Sequence, residues 1–194
     1  QTLAVRAYRD NLKFQPRRGW LVVMEGLKDR SDIIGLLETF KVLDSDVTLP
    51  RGEWEEVQTP AYARRCKAQG RPMGGTTAYG RATKRNPIQA VAQKKAPQDC
   101  LAIDIGEKIG GHKTVLLLIY HNPEPKSAEE REQWKHWFDE LEGYILHLQR
   151  KQGAAVLMVG DVNAHMKHTG YAADNWVARR MQELAATTNM NWRR

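Results

Sequence analysis

Cysteine is nearly absent: the 194 residues hold only Cys66 and Cys100. Two thiols far apart, with no Cys-x-x-Cys spacing, argue against a zinc site and a disulfide scaffold. They point to a reduced intracellular compartment, nuclear or organellar and not secreted. Long apolar runs are also lacking. Val115–Tyr120 and Ala154–Val159 are among the longest, far short of the roughly 18–20 residues of a membrane-spanning helix, so no membrane association is expected. The first residues are polar and charged, without the apolar core of a signal peptide, and a chain opening at Gln1 reads as a cropped piece. No internal repeat or heptad array is present. The most local absence is of negative charge: from Gln58 to Gln98 there is no Asp or Glu.

That acid-free stretch carries nine cations, Arg64, Arg65, Lys67, Arg71, Arg81, Lys84, Arg85, Lys94 and Lys95, in a chain of net charge +7. Cations without interleaved anions make a local field rather than a balanced solvated face. The pattern fits a nucleic-acid surface or a disordered basic loop. The remaining composition, 41% hydrophobic and 27% charged, is that of a soluble globular protein. The length suggests a single domain spanning 1–194, with residues 42–98 irregular, basic and rich in Gly and Pro.

Periodicity divides the rest. Leu3–Tyr8 alternates weakly, as a strand does, and Trp20–Lys28 fits a helix or a buried strand. Asp32–Glu38 is a short apolar run ending in a carboxylate, which reads as a buried strand with Glu38 at its tip. Met73–Tyr79 reads as a strand entered through glycines. Cys100–Ile105 and Thr114–Tyr120 suit an antiparallel hairpin whose connection holds Gly106, Gly110 and Gly111. Ser127-Ala-Glu-Glu130 has the form of a capping box. Behind it Trp134, Trp137, Phe138, Leu141, Tyr144, Ile145 and Leu148 recur at helical spacing, a stripe for core packing rather than a platform for bases. A buried strand, Ala154–Val159, runs into Gly160-Asp161-Val162-Asn163-Ala164-His165, and a last helix is expected over Asn175–Thr187. Mixed strands and helices without uniform βαβ order indicate an α/β layered sandwich.

Residues i and i+2 of a strand point the same way, so the strand before Asp161 delivers one carboxylate and the Asn163 amide to one place. An Asp there can bind a hard cation or accept a proton, and an Asn can donate to a phosphate oxygen. The plain alternative is a turn, for which Gly, Asp and Asn are common residues. Glu38 and Tyr120 end two other strands. Either alone is unremarkable, but with Asp161 and Asn163 they suit metal-assisted attack on a phosphodiester: Glu38 for Mg²⁺ or Mn²⁺, Tyr120 and Asn163 for the scissile phosphate, Asp161 for the water.

These segments resemble motifs of the endonuclease/exonuclease/phosphatase family, in its order. Asp32-Ile-Ile-Gly-Leu-Leu-Glu38-Thr39 is similar to a strand ending Gln-Glu-Thr, whose Glu is a metal ligand; Leu37 replaces the Gln. Gly74-Gly75-Thr-Thr-Ala-Tyr79 is similar to a paired-glycine strand, and Leu118-Ile119-Tyr120 with Pro123 to an Ile-Tyr-x-Pro strand supplying an active-site Tyr. Gly160-Asp161-Val162-Asn163-Ala164-His165 resembles the Gly-Asp-Phe-Asn-Ala-His signature of retrotransposon (AP-endonuclease-like) endonucleases. The resemblance implies a four-layer sandwich of two packed mixed β-sheets flanked by helices, and Mg²⁺-dependent hydrolysis of DNA.

Two departures from that pattern stand out. The family's opening Asn-x-Asn falls on Arg9-Asp10-Asn11, so Arg9 takes the first place and Asn11 the second. An Arg near Glu38 would compete with a cation for that carboxylate. The family's last third, with a late Asp and a Ser-Asp-His, has no counterpart, so the fold is expected to be incomplete at its C-terminus. The missing strands would leave a sheet edge open to a protein partner or a further segment. Two readings follow. One is a DNA-cleaving domain impaired as it stands. The other is a non-catalytic relic, a nucleic-acid-binding or structural subunit of a larger, for example ribonucleoprotein, assembly. It would bind DNA or RNA through Arg64, Arg65, Arg81, Lys84 and Arg85 without needing a metal, and the scattered Trp54, Trp176 and Trp192 favour it. A phosphatase acting on phosphoinositides or small phosphoesters is a third, less favoured by the Gly-Asp-Val-Asn-Ala-His segment.

Overall fold

The structure, a computed structural model, describes residues 5–9, 33–37, 54–56, 76–81, 89–90, 96–121, 125–165, 167 and 171–191. Among them, eight strands and two helices follow in the order β1 (Val5–Arg9), β2 (Ile33–Leu37), β3 (Trp54–Glu56), β4 (Thr76–Arg81), β5 (Gln89–Ala90), β6 (Cys100–Ile109), β7 (His112–Tyr120), α1 (Ala128–Gln152), β8 (Ala155–Asp161) and α2 (Trp176–Thr187). The strands form two four-stranded sheets, ordered β1-β2-β4-β3 and β5-β6-β7-β8. Each sheet is mixed: β1–β2 and β7–β8 pair parallel, the other neighbours antiparallel.

The sheets pack face to face. Ile33 and Ala78 of the first meet Leu101, Ile103, Ile105, Leu116 and Leu118 of the second in one buried cluster. All five residues of β2 are buried, as befits a strand with no polar side chain. The outer face of the second sheet is covered by the helices. Cys100, Ala102, Val115, Leu117 and Ile119 pack there against the α1 stripe and against Val177, Ala178, Met181 and Leu184 of α2. Successive residues of β7 thus alternate between two cores, which explains a strand apolar on both faces. A helical layer outside the first sheet, the fourth of the expected sandwich, lies outside the described residues, as does the Trp20–Lys28 segment.

Most of the expected elements are present, some with shifted bounds. The hairpin differs in detail. β6 runs on to Ile109, and the connection is a two-residue turn, Gly110-Gly111, with φ of 60° and 84°. Positive φ at both central positions is what a type I′ turn requires, and glycine adopts it without strain. Gly106 lies instead inside β6, where the register slips between Asp104 and Lys108: residues 105–107 face Thr114 alone, as in a β-bulge.

Helix α1 starts as its sequence dictates. The Ser127 Oγ accepts from Glu130 N at 3.1 Å, and the Glu130 carboxylate accepts in return from Ser127 N at 3.3 Å. Gly153, with φ 61°, ends it, and Ala154 N donates to Leu148 O at 3.1 Å. The seven apolar residues of the stripe are all buried, each contributing about 1.5–3 kcal/mol of transfer free energy. The helix also supplies the crossover that parallel β7 and β8 need.

β8 is the outermost described strand of its sheet. Ala155–Val159 carries no charge and no proline, yet none of its residues is fully buried, and Leu157 is 38% exposed. Between β8 and the end of α2 lies a groove of about 820 Å³, lined by Val156, Met158, Gly160, Asp161, Met181 and Met190 among others. No described helix is long and apolar enough to cross a membrane.

Candidate active site

Register builds the site. Within the parallel pair β7–β8, Tyr120 stands opposite Asp161, so the last residues of two neighbouring strands lie side by side. Their backbones are joined beyond the pairing by His121 N donating to Asp161 O at 2.9 Å. The strands come this close because residue 160 has no side chain. A Cβ there would lie 1.9 Å from the Ile119 carbonyl oxygen.

After β8 the chain turns sharply at Asn163, whose φ is 53°, a left-handed conformation that Asn tolerates better than most residues. Three hydrogen bonds fix the turn. The Asp161 Oδ1 accepts from Asn163 N at 2.8 Å, the Asn163 amide donates to the His121 carbonyl at 2.9 Å, and the Asn175 amide donates to Asn163 O at 3.2 Å. The first is an Asx-turn, the plain reading of Gly-Asp-x-Asn. It is compatible with a site, because a carboxylate has a second oxygen and an amide a second N–H. Asp161 and Asn163 are half-buried, whereas Tyr120 is 4% exposed. A phosphate reaching the Tyr120 hydroxyl would therefore sit deep.

Behind this turn stands an aromatic block. The His121 ring lies 3.7 Å from Trp134 and 4.5 Å, edge-on, from Trp137, centroid to centroid, and Trp176 meets Trp134 at 6.2 Å. The Trp137 indole N–H donates to Gln98 O at 2.8 Å, and Tyr120 N donates to Asp99 O at 3.1 Å. Trp134 and Trp137 thus pack against the His121 ring, with Trp176 behind Trp134. Trp176, counted above with Trp54 and Trp192 in favour of a binding surface, is packed against this core instead.

Near the site the first sheet packs closely on β7. A Cβ on Gly35 would lie 2.8 Å from a Leu118 methyl. Gly35 and Leu118 are each two residues short of the ends of β2 and β7. Glu38, the expected metal ligand, follows Leu37 directly but lies outside the described residues, as do Asn11, Arg64, Arg65, Lys84 and Arg85. Arg81 ends β4 opposite Trp54. Arg9 stands opposite Leu37 at the end of parallel β1–β2, one residue from Glu38 in register. Among the described residues no group of three or more His, Cys, Asp or Glu side chains gathers as a metal site. Asp161 offers a hard oxygen, and Mg²⁺ typically takes one or two carboxylates, completing its shell with water and phosphate.

Sequence reasoning missed Asn175. Its Oδ1 caps α2, accepting from Ala178 N at 2.8 Å, and also accepts from His165 N at 3.2 Å. An Asn just before a helical run is the signal that could have found the cap. Nothing in the sequence announced the bond to Asn163 O. Gly160 was read only as part of a motif, and its need to be bare emerges only once β7 lies beside it.

Solved structures share this architecture. An AP endonuclease from Leishmania major superimposes with TM-score 0.64 at 15% identity, over 87% of this chain and 60% of its own. A variant of the 3′ phosphatase NExo from Neisseria, bound to a product DNA hairpin, gives 0.61 at 14%, over 94% and 70%. The Xenopus laevis APE2 catalytic domain gives 0.59 at 12%, over 90% and 62%. The chain therefore has the fold of the endonuclease/exonuclease/phosphatase enzymes, and spans about three fifths to seven tenths of these relatives in structure. No family model matches the sequence, and no curated protein matches it significantly.

Proposed function

We propose that the chain is the larger part of a phosphodiester-cleaving domain acting on DNA, of the kind retrotransposons use, impaired in hydrolysis as these 194 residues stand. The reading rests on one observation above all: Tyr120 and Asp161 in register at the ends of adjacent parallel strands, with Asn163 on the turn that follows. Solved structures with this fold include an AP endonuclease and a 3′ phosphatase bound to DNA. Asp161 would orient water, and Tyr120 and Asn163 would contact the phosphate. Glu38 would hold Mg²⁺ or Mn²⁺, which when bound offsets charge developing on the phosphoryl oxygens. The impairment is inferred from Arg9, which ends β1 where the resembled pattern has Asn. The apolar edge of β8, outermost of the described strands, fits cover by a protein partner or a further segment of polypeptide.

A second reading, a non-catalytic nucleic-acid-binding or structural subunit, is favoured by the acid-free basic stretch and by the Asn163 amide being bonded to the His121 carbonyl. One experiment separates the two. Supercoiled plasmid is incubated with the chain and Mg²⁺, beside Asp161→Ala. Nicking that requires both metal and Asp161 establishes a cleaving domain and overturns its impairment. Salt-sensitive retention of DNA or RNA without nicking means that the chemistry is gone and nucleic-acid binding remains. In that case replacing Arg64, Arg65, Arg81, Lys84 and Arg85 by Ala should weaken binding and flatten its salt dependence.

A further inference from the structure

Trp134, Trp137, Phe138 and Tyr144 are spent on the core. A different aromatic pair lies on the loop that leaves β8. His165 and Tyr171 stack with ring centroids 4.3 Å apart and planes 5° from parallel, and Tyr171 is 50% exposed. A stack hides only one face of each ring, so a solvent-facing pair leaves apolar ring surface in water.

Hydrogen bonds of the described residues on either side anchor this pair. Asn175 N donates to His165 O at 3.0 Å while His165 N donates to Asn175 Oδ1 at 3.2 Å, closing the loop at its neck. Lys167 N donates to Asp174 Oδ1 at 2.6 Å, and the other Asp174 oxygen accepts from Gln182 of α2 at 3.0 Å. His165 is four residues beyond Asp161 and two beyond Asn163, whose own carbonyl is held by Asn175. The stack and the candidate phosphate-binding turn are thereby tied to one residue, Asn175, at the N-terminus of α2.

We propose that the His165–Tyr171 stack is a platform for an unpaired nucleobase, taking the base of a nucleotide whose backbone lies at the Asp161–Asn163 turn. The inference rests on the nucleic-acid reading above and deepens it: it assigns the preferred ligand as single-stranded or locally opened, since bases inside an intact duplex present no ring face. Every base has such a face, so the platform does not select sequence. Exposed Lys167 on the same loop suits an adjacent phosphate.

The test is fluorescence anisotropy with three probes: a short oligothymidylate, a strand of the same length with abasic sugars in place of the nucleotides, and a blunt duplex. The wild-type chain should prefer the base-bearing strand over the abasic one by about tenfold, the scale of one aromatic–base stack. Tyr171→Ala and His165→Ala should abolish that preference while leaving affinity for the abasic strand unchanged. Tyr171→Phe should retain it. A preference that survives Tyr171→Ala, or a stronger affinity for the duplex than for either strand, overturns the platform and leaves the nucleic-acid reading standing. Failure of all three probes to bind overturns both.

Discussion

The two sheets teach different things about what holds this fold. In the second, β6 and β7 are ten and nine residues long and join through a two-residue turn, and the described helices pack on the outer face. In the first, the strands span three to six residues and come from segments far apart in sequence. Among the described residues, the long sheet has its own hairpin and helical cover, and the short sheet is packed against its other face. The same contrast runs through the site: Tyr120, Asp161 and Asn163 belong to the long sheet, while the expected metal ligand follows the short β2.

Five substitutions or conditions sharpen the contrast. Trp134→Ala should have the largest effect, about 4 kcal/mol in urea unfolding, because it removes a large side chain that touches His121, Trp137, Phe138 and Trp176. A loss under about 1 kcal/mol would mean that the helical cover matters less than the contacts between sheets. Next comes a glycine pair. Gly160→Ala drives a Cβ into the β7 backbone, which cannot yield, and should cost about 3 kcal/mol. Gly35→Ala meets the Leu118 side chain first, which can shift, and should cost about 1 kcal/mol. Equal costs would erase the distinction between backbone and side-chain contact at the two positions.

Alkali acts on the same core. Burial pushes the Cys100 thiol from 9.0 up to about 12, with Asp99 adding to it, and burial followed by Cys100 itself pushes the Tyr144 hydroxyl from 10.0 up to about 12. The unfolded chain loses these protons first, so it binds fewer of them between pH 9 and 12. Stability is full below pH 9 and falls as pH climbs through that window, by on the order of 1 kcal/mol per unit. Unfolding midpoints measured across the range, with Cys100→Ala flattening the slope, check this. An effect as small as that of Gly35→Ala is expected of Ser127→Ala, which removes the cap of α1 at a cost of about 1 kcal/mol. Thermal melts with Ser127→Asp, expected to restore the cap, separate capping from other roles of the hydroxyl.

Much of the long sheet was legible in the sequence. The apolar runs of β7 and β8, the α1 stripe and the capping box each carry a local pattern with one structural solution. β2 was legible too, since five apolar residues bounded by charge had to be buried. β3 and β5 were not, because a strand of three or two residues has no period to read; both fell in a stretch taken as irregular. At the site, Asp161 and Asn163 were found by their i, i+2 spacing and by a motif. Their actual bonding, an Asx-turn with the amide on His121, depends on register between β7 and β8, which no single segment encodes. The same holds for the bare Cβ position at Gly160.

The Gly110-Gly111 turn has a consequence in time. Closing a two-residue turn and zipping a hairpin takes about 1–10 μs, whereas pairing β1 with β2 and β2 with β4 must first bring together residues dozens of positions apart, at a larger entropic cost. The β6–β7 hairpin is thus the expected early scaffold, with α1 and β8 following from the same stretch of chain. β2 then docks late, against a surface already formed, and Gly35 settling on Leu118 would be among the last contacts made and the first lost.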